Sequence, residues 1–129
     1  MALKFKPGWN TELKKYADKY GEYQAFLDSF DEAGIAKALF DAKNRFNHPW
    51  CQSLIDVSMD PFSRRVFTIE QGAHQTENMR AGGFCLHFTG RDDKGSAFHF
   101  YVKQKDNGLP EIFEMSFKDG HMFRSVYRT

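Results

Sequence analysis

Three glycine turns in the last third of the chain constrain its fold more tightly than any other feature. Asp92-Asp93-Lys94-Gly95, Asn107-Gly108 and Asp119-Gly120 fall at near-equal intervals and separate runs in which apolar and polar residues alternate. That alternation is the period of a half-buried strand, and glycine supplies the positive φ that tight hairpins demand. A type I turn with a glycine bulge at Gly95 pairs Asp92 with Ser96, setting Phe88 opposite Phe100 and Leu86 opposite Val102. A two-residue type I′ turn at Asn107-Gly108 sets Val102 opposite Phe113, Phe100 opposite Met115 and Phe98 opposite Phe117. At Asp119-Gly120 the bulged register is preferred, because it matches Glu114 with Arg124 and Met115 with Phe123, whereas the alternative sets Met115 against Arg124. The result is a four-stranded meander, about 82–91, 97–105, 111–118 and 122–128, with one continuous Phe/Leu/Met face.

Upstream the period is helical. After Asn10, a good N-cap, Leu13, Tyr16, Ala17, Tyr20, Gln24, Leu27 and Phe30 recur at spacings of three and four, which predicts a helix over 11–29 with a possible break at Gly21. Asp31 caps a second helix over 32–46 whose buried stripe is Ile35, Leu39, Ala42 and Phe46. Asn47-His48-Pro49 ends it, since the residue before proline avoids the helical region. Ser53 to Met59 and Arg65 to Glu70 read as two strands around a turn at Asp60-Pro61-Phe62-Ser63, and Gln71 to Gly83 as either a loop or a two-turn helix around His74 to Arg80. The whole, residues 1–129, reads as a single α+β domain in which two N-terminal helices pack on a curved antiparallel sheet of about six strands ending in the meander.

Composition narrows the functional classes. The 41% apolar fraction, with fourteen Phe, excludes a disordered chain. The net charge of +1, with no block of like charge, argues against binding to nucleic acid or to a membrane surface. Cys51 and Cys85 match no metal or redox spacing and read as buried free thiols in a reducing, cytoplasmic compartment. No phosphate loop, zinc-protease motif, nucleophile elbow or EF-hand is present, so no cofactor and no metal is expected and no catalytic residue is assigned.

The expected registers gather Cys85, His87, Thr89, His99, Tyr101, Lys103, Glu114, Ser116 and Arg124 on the other face of the meander. His87, His99, Tyr101, Glu114 and Arg124 are the candidate binding residues there, offering an imidazole, a carboxylate and a guanidinium side by side. An ordinary solvated sheet face would carry many of the same residue types. His87 and His99 become diagonal neighbours, able to share a metal only if Cys85 or Glu114 joined them. His48 and Cys51 would make a thin nucleophile-base pair, and Trp50 with Cys51 reads better as core. Tyr16 and Tyr20, near one helix face, are candidate hydroxyl donors to a space between helix and sheet.

The closing stretch, Gly83-Phe84-Cys85-Leu86-His87-Phe88-Thr89-Gly90-Arg91, then Asp93-Lys94-Gly95 and Phe117-Lys118-Asp119-Gly120-His121-Met122, resembles the late strands of the nuclear transport factor and ketosteroid isomerase superfamily. That resemblance implies a cone-like domain whose concave apolar face, here Phe98, Phe100, Phe113, Met115 and Phe117, either lines a pocket for a small apolar ligand or simply fills it, and a homodimer formed through the sheets. The alternative is a protein-interaction module, an inhibitor, immunity or assembly protein, that works through the polar face or an edge of the sheet.

Overall fold

A computed structural model describes residues 2–19, 31–75, 85–104, 110–117 and 121–124. Among them are helices α1 (Thr11–Lys19), α2 (Glu32–Asp41) and α3 (Pro49–Met59). The strands are β1 (Leu3–Phe5), β2 (Phe67–Gln75), β3 (Cys85–Asp92), β4 (Ala97–Gln104), β5 (Pro110–Phe117) and β6 (His121–Arg124). The strands form one open sheet in chain order, antiparallel throughout except for the parallel pair β1–β2. The α+β class and the mostly antiparallel sheet are as the sequence predicts. The element list is not.

The largest correction is α3, which occupies the place expected for the strand Ser53 to Met59. His48 is its N-cap, with Nδ1 accepting the Trp50 amide at 3.2 Å, and Pro49 is its first residue, where a missing N–H costs nothing. Cys51, Leu54, Ile55 and Ser58 then fall on one buried face at helical spacing. Asn47-His48-Pro49 therefore starts a helix and does not end one, since the preceding helix has already stopped at Asp41. α2 stops at Asp41, short of residue 46, yet Ile35, Leu39, Ala42 and Phe46 are all buried as expected. Its cap is Asp31, whose Oδ1 accepts the Gly34 amide at 2.7 Å, a contact that contributes about 1 kcal/mol. α1 matches the first part of the expected 11–29 helix; the rest, with Gly21 and Tyr20, lies outside the described residues.

β2 runs on through Gln71–Gln75, so the helix considered around His74 to Arg80 begins instead as strand, and its remainder lies outside the described residues. β1 was not expected at all. The β3–β4 hairpin has the anticipated turn, with Gly95 at φ 81, the Gly95 amide donating to Asp92 O at 3.1 Å, and Asp92 N bonded to Ser96 O at 2.9 Å. Phe88↔Phe100, Leu86↔Val102, Phe100↔Met115, Phe98↔Phe117, Glu114↔Arg124 and Met115↔Phe123 are all observed. Val102, however, faces Ile112 rather than Phe113, because a bulge between Tyr101 and Val102 shifts the register by one residue. A one-residue shift turns side chains to the opposite face. Phe113 thus leaves the apolar stripe, and Ile112, fully buried, takes its place.

The core is one cluster between the helices and that stripe. Phe88 stacks on Phe100 with centroids 5.1 Å apart, Phe98 on Phe117 at 5.9 Å, and Phe67 meets Phe98 at 5.6 Å. Burying each of the five fully enclosed Phe side chains contributes roughly 1.5–3 kcal/mol. Arg45, just beyond α2, ties the helical layer to β5 through Glu111 at 3.0 Å.

Candidate functional site

The strand registers bring four of the predicted site residues together on the face of the sheet turned away from the core. His87 lies opposite Tyr101, and Tyr101 opposite Glu114. The His87 and Tyr101 rings stack at 4.5 Å and 10°, while His87 Nε2 and His99 Nδ1 share a hydrogen bond at 2.8 Å in which one ring donates and the other accepts. Tyr101 continues the array to Phe113 at 6.2 Å, and the Lys103 ammonium sits 5.8 Å from the Phe113 ring centre. Arg124 is opposite Glu114 along the backbone; its side chain, that of Tyr16 on α1, and the whole of Tyr20 lie outside the described residues.

Electrostatically the three rings of this cluster are held in their neutral forms. Burial, helped by the charge His99 would carry, pushes His87 down to about 4. His99 is lowered too, by burial, with the Glu114 carboxylate working the other way. Burial raises the Tyr101 phenol, assisted by Glu114 and Cys85. Glu114, Ser116 and Cys85 are almost fully enclosed, so this face is not simply a wet one. An imidazole this acidic is a weak base at neutral pH, and its ring nitrogen is already engaged by its neighbour. The arrangement suits stacking and hydrogen bonding better than proton transfer.

Neither metal nor thiol chemistry gains support. Among the described residues no three His, Cys, Asp or Glu side chains come together as ligands. Cys51 is core, the reading the sequence favours over a pair with His48: it is fully buried and pushed up to about 12 by that burial, while His48 caps α3. Cys85, raised to about 11 mainly by burial, is likewise an inert thiol.

A second site was not anticipated. At the end of the layer where α3 begins, a cleft of about 270 Å³ opens between helix and sheet, with Trp50, Phe67 and Phe117 among its walls. Trp50 meets Phe117 edge-on at 5.9 Å. Its polar groups are Ser53, also of α3, and, from two further segments, Arg65 ahead of β2 and Asp92 and Lys94 at the β3–β4 turn. Arg65 Nη2 reaches Asp92 Oδ2 and Asp93 Oδ1, each at 3.2 Å, with its guanidinium 4.8 Å from the Phe67 ring centre. Asp92 Oδ1 accepts the Lys94 and Ser96 amides at 2.9 and 2.8 Å, and Ser53 Oγ donates to Pro49 O at 3.1 Å. The basic pair Arg64-Arg65 and acidic pair Asp92-Asp93 were the one linear signal that could have paired these segments.

Compared with known proteins, the chain matches no family model, no curated protein and no solved structure.

Proposed function

We infer that this protein binds a small organic molecule between its helices and its sheet, without catalysing a reaction on it. The observation that carries the reading is the cleft at Trp50, Phe67 and Phe117, a concavity with aromatic walls and a few polar groups at its rim. Deeper in, Phe88, Phe98, Phe100 and Met115 are buried at 1% exposure or less and packed on one another, so the apolar stripe acts as core rather than as pocket lining.

Size and charge bound the ligand. At ~30 Å³ per water, the volume corresponds to about nine waters, hence a ligand of roughly ten non-hydrogen atoms. At ~0.3–0.5 kcal/mol per atom its affinity falls between about 0.1 and 10 mM. Arg65 and Lys94 together balance Asp92 and Asp93, and with Arg65 engaged by both carboxylates Lys94 is the cation that can meet a ligand, which suits a flat molecule with one negative group. The reading without catalysis is supported by the rim, where Asp92 has both oxygens hydrogen-bonded and Ser53 donates to its own helix.

Benzoate is the probe to use, followed by two-dimensional NMR with the wild type, Trp50→Ala, Lys94→Ala and, as a control, His99→Ala. Saturable shifts at β2, the β3–β4 turn and α3 that disappear in the first two variants and persist in the third support this reading. Shifts absent at 20 mM, or centred on the His87 face, refute it.

A second reading, a protein-interaction module, rests on the stacked His87-Tyr101-Phe113 array, since aromatic side chains concentrate binding energy at interfaces. Tyr101→Ala should then abolish capture of a protein partner while leaving benzoate binding unchanged.

A further inference from the structure

The outer side of the helical pair carries a feature that neither site uses. A groove of about 440 Å³ runs between α2 and α3, lined by Phe40, Lys43, Ile55, Asp56, Met59 and Asp60. The exposed large apolar side chains among the described residues are Phe40 at 39%, Met59 at 52% and Phe62 at 90%. The first two line this groove, and the third stands in the turn that leaves it, where its amide is held by Asp60 Oδ1 at 2.9 Å. Apolar surface gathered in this way marks a contact site.

Its charges divide by wall. The α2 side contributes Lys43, whose ammonium lies 4.7 Å from the Phe40 ring centre, and the α3 side contributes Asp56 and Asp60. Two copies related by a two-fold axis running along the groove would set the cationic wall of each against the anionic wall of the other, with Phe40, Met59 and Phe62 between them. An isologous interface needs that self-complementarity. The geometry points to a second copy of this chain as the occupant: the protein forms a two-fold homodimer through the α2–α3 groove, away from the sheet.

The contact is small. Helices of ten and eleven residues are about 15 Å long and two of them about 20 Å wide, giving roughly 300 Å² per copy against the ~800 Å² of a standard interface. The dimer is therefore weak, reversible and salt-sensitive, and it is read by sedimentation equilibrium of the full chain between 10 µM and 1 mM. The wild type is expected to show a monomer–dimer equilibrium in that range that Phe62→Ser together with Met59→Ser removes.

The decisive arm is a charge exchange at exposed positions that leaves the core untouched. Lys43→Glu alone makes both walls acidic, and Asp56→Lys with Asp60→Lys makes both basic. Each variant should dimerise at least about tenfold more weakly than the wild type, and an equimolar mixture of the two should recover dimer, because both contacts of the mixed pair are then attractive. A wild type that stays monomeric at 1 mM overturns the proposal. So does a dimer indifferent to these changes, or a mixture no more associated than its components.

Discussion

Holding His87 neutral has a consequence for stability that can be worked out from its surroundings. Its folded value of about 4 lies below the ordinary 6.5. The unfolded chain therefore takes up this proton first as the pH falls, and stability is lost between about 6.5 and about 4, levelling off below. Two and a half pH units at ~1.36 kcal/mol each give roughly 3 kcal/mol, which solvent screening at this half-buried ring reduces by about half. Between pH 7 and pH 5, where carboxylates remain ionised, about 1 kcal/mol of that loss should appear, with His99 adding in the same direction. At an m value of ~2 kcal/mol/M, the urea midpoint of the wild type should fall by about 0.5 M over those two units. His87→Gln removes the titrating ring, so its midpoint should be lower at pH 7 but change at most half as much. If the variant's midpoint moves as far as that of the wild type, or the wild type is flat from pH 7 to 5, the assignment of neutrality to this ring is wrong.

Three further outcomes are expected. A Cβ at Gly90 would fall on the Thr68 carbonyl oxygen and 2.7 Å from the Phe98 ring, so Gly90→Ala should cost at least ~3 kcal/mol and leave little folded protein by circular dichroism, whereas Gly95→Ala, with open space and only its φ of 81 to strain, should cost about 1 kcal/mol. Cys51 and Cys85, at about 12 and about 11, should resist a thiol-reactive dye at pH 7.5 until denaturant is added; labelling within minutes in native buffer would contradict their burial. Asp31→Ala should lower stability by about 1 kcal/mol in urea unfolding, and Asp31→Ser should recover most of it if the lost contact is the cap on Gly34.

How much could be read in advance depended on how local the deciding signal was. Turn chemistry at Gly95 fixes the β3–β4 pairing within a few residues, and so the adjacency of His87 and Tyr101 was legible before any coordinates. The bulge was not, because Ile112-Phe113 places two apolar residues in succession and either could have faced the core. α3 was misread for a similar reason, since Trp50 to Met59 satisfies both periods and only the His48-Pro49 start favours helix. β1 has three residues and a partner far along the chain. The cleft at Trp50 draws on α3, the approach to β2, the β3–β4 turn and the end of β5, and no linear spacing announces such a convergence.

The parallel pairing of β1 with β2 also sets an order of events. Every other neighbouring pair of strands is consecutive among the described elements, but Leu3 must wait for Phe67, with α1, α2 and α3 made in between. At ~5–20 residues per second a ribosome needs roughly 3–12 s to cross that gap. During that interval Leu3, buried at 1% exposure once folded, has no sheet to join. When it docks, it covers the edge of β2 and closes a loop of some sixty residues, so this strand is secured only after β2 has been made.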